Sequence, residues 1–193
     1  MADPVLHLLC GPNGAGKSSL YERVIGPATG LEFVNADLIA ARRWPDDPAG
    51  RSYDAAREAA DRRAALIGAR QSFVTETVFS HSSKVDLVRA AIDAGYLATL
   101  HVVMVPAELA VARVVSRVEV GGHRVPETKI RERYERLWPL VIEAIGVATS
   151  AVAYDNSRAG TPFRVVARFA HGEVTGSADW PPWTPPVLVA MSA

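Results

Sequence analysis

Eight consecutive residues, GPNGAGKS at 11–18, carry the clearest chemistry in the chain. Gly11, Gly16, Lys17 and Ser18 meet the pattern G-x-x-x-x-G-K-[ST]. Gly11, Gly14 and Gly16 allow the backbone to take positive φ and to bring N–H groups close to phosphate oxygens. A helix opening at that point adds partial positive charge to the same anion. Lys17 can reach the β and γ phosphates, and the Ser18 hydroxyl can ligate Mg²⁺. The expected nucleotide contacts are Gly11, Pro12, Asn13, Gly14, Ala15, Gly16, Lys17, Ser18 and Ser19, and the expected ligand is ATP with Mg²⁺.

Two carboxylates fall where apolar runs end. Asp37 closes FVNAD, and Glu76 stands at the end of FVTET, one residue before Thr77. A carboxylate that accepts the proton of an incoming hydroxyl is the usual device for phosphoryl transfer, so Asp37 is the candidate general base. The competing reading makes Asp37 the cap of a helix beginning at Leu38. Glu76 could hold a metal-bound water, bind a hydroxyl of the acceptor, or make a structural hydrogen bond. Thr77 beside it is a further candidate substrate contact.

Arginines form a second cluster. Arg113 and Arg117 lie four apart, where like charges repel by a few tenths of a kcal/mol, and a triphosphate would compensate. Gly121-Gly122 reads as a hinge, followed by His123, Arg124 and a helix start at Pro126. Lys129, Arg131, Arg133 and Arg136 follow. Helix, hinge, arginine, helix is the pattern expected of a lid that neutralises charge on a transferring phosphoryl group. The alternative is a solvated face on which Glu127, Glu132 and Glu135 pair the arginines. Farther on, AYDNSRAG sets Asp155 and Asn156 at another strand end, where Asn156 either contacts nucleotide or simply makes a turn.

These residues need elements to hold them. VLHLLC (5–10), LEFVNAD (31–37), QSFVTETVFS (71–80), YLATLHVVMV (96–105) and AVAYDN (151–156) read as strands. Helical patterns cover 16–26, closed by Gly26-Pro27, then 53–70, 82–95, 106–118 and 126–145. The segment 163–174 reads as a ribbon or edge strand. Alternation of strand and helix predicts an α/β three-layer sandwich with a five-stranded, mostly parallel sheet. The expected organisation is one domain over 1–193, with a lid at about 107–145 and a Pro/Trp-rich tail at about 177–193.

The bulk numbers exclude several classes. Lys plus Arg and Asp plus Glu are 21 each, so no net field draws the chain to nucleic acid or an anionic membrane. No apolar run approaches the ~18–20 residues of a membrane span. Cys10 is the only cysteine, which excludes an internal disulfide. The expected location is the cytoplasm.

The ordered set GPNGAGKSSL, VNAD, FVTETVFS, ARVVSRVEVGGHRVPETKIRERYERLW and YDNS, over about 5–158, resembles the zeta-toxin-like P-loop kinases. Toxins of that family phosphorylate UDP-N-acetylglucosamine. The resemblance implies an ATP–Mg²⁺ kinase in which Lys17 is the phosphate-loop lysine, Asp37 the general base and Glu76 a substrate-contacting acid. It matches Arg117 and Arg124 to the lid arginines, with Arg113, Arg131 and Arg133 as alternatives for the second. It also implies a small-molecule acceptor such as a sugar nucleotide, and an antitoxin partner that one chain does not reveal. The competing expectations are an NTP hydrolase or nucleotide-gated switch without an acceptor, and a nucleic-acid end kinase.

Overall fold

The computed structural model describes residues 2–119 and 126–192, with side chains for all of these except 117–119. The hinge Gly121-Gly122, His123, Arg124 and the Arg117 side chain therefore lie outside the described residues. β1 (Val5–Cys10) is an almost unbroken apolar run, as a strand covered on both faces requires. The phosphate loop follows it and opens α1 (Lys17–Leu20). That helix continues through a π-helical stretch (Tyr21–Ile25) into α2 (Gly26–Thr29).

The predicted stop at Gly26-Pro27 is therefore displaced. In the widened turn the Gly26 N–H reaches back to the Tyr21 carbonyl, and Pro27 begins a new helical turn, where a missing N–H is tolerated. Gly30, in the left-handed conformation, ends the segment instead. The second strand is shorter than the expected 31–37. β2 runs only over Glu32–Val34, because Asn35 turns to cap α3 (Ala36–Arg43), its Oδ1 accepting from the N–H groups of Asp37 (2.7 Å) and Leu38 (3.1 Å). Asp37 thus neither ends the strand nor caps the helix. It sits in the helix's first turn.

The chain continues through α4 (Ser52–Gly68), β3 (Phe73–Thr77), α5 (Ser83–Asp93), β4 (Leu97–Met104), α6 (Ala107–Glu119), α7 (Glu127–Val147), β5 (Ser150–Asp155), β6 (Arg164–Ala170), β7 (Glu173–Val174) and α8 (Pro186–Val189). The sheet has seven strands rather than five, in the order β2-β3-β1-β4-β5-β6-β7. The first five in that order pair in parallel, and β6 and β7 add antiparallel. The residues 163–174 supply those extra strands as a hairpin on the β5 edge.

Strand alternation sorts the core into two halves. Leu6, Leu8, Phe73, Leu100, Val102 and Ala153 pack with α4, α5 and α7 on one face. Leu9, Val74, Val103 and Tyr154 pack with Ala15, Leu20, Ile25 and Ala110 on the other. Helices thus cover both faces of an α/β sheet. His7 and His101 lie on the second face, hydrogen-bonded to each other (3.0 Å), and His101 reaches Tyr154 (3.1 Å). Burial holds the His101 imidazole neutral, down to about 3. In the tail, Trp180 and Trp183 pack against the larger core half and Leu188 is fully buried.

Candidate active site

The C-terminal ends of β1, β2 and β3 open into one cleft of about 800 Å³. Its phosphate-loop wall is formed by Asn13, Gly14, Gly16, Lys17, Ser18 and Ser19. The loop packs this closely because Gly11, Gly14 and Gly16 lack a side chain; a carbon on Gly14 would stand 2.8 Å from the Ala110 carbonyl. A carbon on Gly11 (φ +142°) would run into the Val103 carbonyl, and one on Gly16 (φ +93°) would stand 2.5 Å from the Asn156 amide nitrogen. Gly11 and Pro12 point their carbonyls at Lys17, whose Nζ donates to both (3.1 and 3.0 Å). Ala15 packs into the core.

Burial here is matched by partners. Lys17 is 4% exposed and stands 3.7 Å from Glu76 Oε1. Glu76 Oε2 accepts from Ser18 Oγ (2.7 Å) and from Asn35 Nδ2 (3.0 Å). Asn35 therefore does two things at once: it caps α3 through its oxygen and steadies Glu76 through its nitrogen. Asp37 lines the same cleft, exposed and in the first turn of α3. Thr77 lines it beside Glu76. Beneath the loop, burial pushes the Cys10 thiol up to about 12, with Lys17 opposing, so Cys10 is an inert packing residue.

Arg113 and Asn156 meet behind the loop. Arg113 donates to the carbonyls of Gly14 (3.2 Å) and Asn156 (3.1 Å). The Asn156 amide donates to the Ala15 carbonyl at 2.7 Å in a buried contact. Both residues border the cleft, and both brace the loop's backbone. Beyond them Ala159, Pro162 and Phe163 add an apolar wall. Phe163 holds a left-handed conformation, φ +55°, which is costly for a bulky side chain.

Of the other cationic expectations, Arg131 and Arg133 do not line the cleft. Arg131 is bidentate to Glu108 (2.6 and 2.7 Å) and also meets Glu127, tying α7 to α6. Arg133 stands exposed on α7. Several cleft residues escaped the sequence reading, among them Asn35, Arg63, Lys84 and Phe163. Only Asn35 carried a local signal, being a favoured cap residue two positions before an acidic helix start.

A glycine loop leading from a central parallel strand into a helix, with a buried lysine at its end, defines a P-loop nucleotide-binding protein of the α/β class. The chain belongs to the AAA domain family AAA_33, whose model matches residues 6–140. A Haemophilus influenzae protein described as uncharacterized is 29% identical over 126 residues, covering 65% of this chain and 89% of its own. The fold is shared with a chain of the AvrRxo1-ORF1:AvrRxo1-ORF2 complex, with TM-score 0.68 at 18% identity, over 90% of this chain and 61% of that one. The present chain thus spans about three fifths of its length. The same complex is also known with ATP. A structure from the PezAT chromosomal toxin-antitoxin system of Streptococcus pneumoniae matches with TM-score 0.66 at 14% identity, over 99% of this chain and 85% of that one. Shikimate kinase from Acinetobacter baumannii matches with TM-score 0.53 at 18% identity, over 80% and 85%. At these identities the likeness is one of fold, and it is a fold used by kinases.

Proposed function

We propose that this protein is an ATP-dependent kinase of zeta-toxin-like type that passes the γ-phosphate to a hydroxyl of a small metabolite, a UDP-amino sugar being the first acceptor to try. The observation that carries the reading is one cleft shared by Lys17, Ser18, Glu76 and an exposed Asp37 whose carboxylate meets no donor among the described side chains. A hydrolase needs only to position water. A cleft of about 800 Å³ that runs past the loop to α4 and α5 has room for a second substrate.

In this reading the loop amides and Lys17 hold the β and γ phosphates, and the apolar wall at Phe163 receives the base. Asp37 takes the proton of the acceptor hydroxyl while that oxygen bonds to the γ-phosphorus. The bond from the γ-phosphorus to the bridging oxygen breaks, and ADP leaves. Ser18 Oγ and Glu76, hard oxygen donors already joined at 2.7 Å, fit Mg²⁺. The ion would supply charge neutralisation between the β and γ phosphates. Lid arginines, Arg117 and Arg124 first among them, would stabilise the transferring group. An antitoxin partner rests on the resemblance and on the PezAT neighbour alone.

The test is incubation with γ-labelled ATP and a bacterial metabolite extract, comparing wild type with Asp37→Asn. A labelled metabolite that disappears in the variant supports the kinase. Phosphate release alone, indifferent to the extract, overturns it in favour of the hydrolase or switch.

A further inference from the structure

Helix α4 turns one stripe toward the cleft: Ser52, Ala56, Ala59 and Arg63. The spacings of four, three and four keep these residues on a single helix face. At roughly 1.5 Å per residue the stripe runs about 16 Å, and three short side chains lead to a guanidinium. Lys84, in the first turn of α5, lines the same cleft. Both cations are partly buried.

Neither the Arg63 nor the Lys84 side chain makes an ion pair or hydrogen bond to another described residue. By contrast, Arg62, Arg89, Arg131 and Arg164 are all paired with carboxylates. Burial lowers the pKa of the Arg63 guanidinium, and burial followed by the Arg63 charge lowers that of the Lys84 ammonium. Two like charges held near each other and partly out of water are unfavourable unless an anion joins them. A merely solvated charge describes Arg23, which is exposed at the cleft, but not these two.

We infer that Arg63 and Lys84 form an anion-binding subsite for the acceptor, which is therefore a small hydroxyl compound bearing its own phosphate or carboxylate. This rests on the kinase reading above. The polyphosphate of ATP has a separate cradle at Lys17 and the loop amides. The short side chains of α4 leave space between the two ends for the acceptor's body, with its hydroxyl at Asp37 and its anion at Arg63 and Lys84. The two cations touch the remote anion and no reacting atom, so they set acceptor affinity rather than turnover.

The test separates a bacterial metabolite extract on an anion exchanger before any reaction, into a flow-through and a retained fraction. Each is incubated with γ-labelled ATP and wild type, Arg63→Gln, Lys84→Gln or the charge-keeping Arg63→Lys. Label is expected only from the retained fraction. Each Gln variant should need about tenfold more of that fraction for half-maximal rate, Arg63→Lys should recover most of the loss, and affinity for a fluorescent ATP analogue should stay unchanged. Pretreatment with phosphatase and nucleotide pyrophosphatase separates the two sources: lost acceptor activity assigns a phosphate, surviving activity a carboxylate. Label from the flow-through only, or wild-type behaviour of both Gln variants, overturns the subsite and leaves the kinase standing. Label from neither fraction overturns the kinase reading, and the subsite with it.

Discussion

The two ends of the cleft treat charge in opposite ways. At the phosphate loop, Lys17 is held by two carbonyls beside Glu76, Arg113 by the carbonyls of Gly14 and Asn156, and Glu76 by Ser18 and Asn35. At the α4–α5 end, burial and then the Arg63 charge lower the Lys84 pKa, and neither side chain pairs with a described residue. The first end is preorganised: its side chains are held by hydrogen bonds, those of Lys17 buried, so less reorganisation is needed when a polyphosphate arrives. At the second end an anionic ligand would offset the burial and the like charge that lower the Lys84 pKa. A nucleotide common to a whole fold suits a rigid cradle, whereas selection among acceptors suits a site whose charges lack internal partners.

The sharpest way to break this contrast is at Lys17. If the proposed function holds, Lys17→Ala removes the cation assigned to the β and γ phosphates, and phosphoryl transfer should fall about a thousandfold or more. Full activity in a labelled-ATP assay would end the assignment of the loop. Asp37→Asn comes next. Loss of a general base should lower kcat by about a hundredfold with the affinity for ATP kept, because Asp37 is exposed and makes no side-chain bond to the loop. Its stability should lie within about 0.5 kcal/mol of wild type. An ATP-affinity loss equal to the rate loss would move Asp37 from the acceptor to the nucleotide.

Asn156 tests whether the loop end is braced in the way described. Asn156→Ala leaves the Ala15 carbonyl without its buried 2.7 Å donor and should cost about 1–3 kcal/mol in urea unfolding. ATP affinity should fall with it, since the carbonyl belongs to the phosphate loop. Wild-type stability would show that Asn156 is held for nucleotide contact alone.

The same contrast separates what was legible in the sequence from what was not. The loop end could be read because its chemistry is contiguous, with strand, glycines, lysine and hydroxyl all within residues 5–18. The α/β class and the five parallel strands followed from apolar runs alternating with helical periods. β6 and β7 read only as a ribbon, since an edge hairpin leaves no helix behind to mark a crossover. The Arg113 expectation came from its local like-charged neighbour, while its carbonyl partners lie 99 and 43 residues away and gave no local signal. Arg63 and Lys84 gave no sign at all. Each sits in an ordinary amphipathic helix, and only the packing of α4 and α5 beside β3 brings them to one space. The π-helical turn that carries Pro27 past its expected stop was equally hidden, because it depends on backbone register and not on residue type.

The smallest expected effect distinguishes the ends by its sign. Substitution at the loop end should destabilise, whereas Lys84→Gln should stabilise, by about 0.5 kcal/mol or less, since it removes one of two like charges. The pH dependence follows from the direction of the shift. The Lys84 ammonium is less favoured in the folded protein than in the unfolded chain, so the unfolded chain holds the proton more tightly. The penalty is complete below the lowered folded pKa and disappears as pH rises past the ordinary lysine value of about 10.4. Thermal unfolding of wild type and Lys84→Gln should therefore differ at pH 7 and converge near pH 11. A variant less stable than wild type at pH 7 would mean that Lys84 is satisfied within the chain, and the two ends of the cleft would no longer differ.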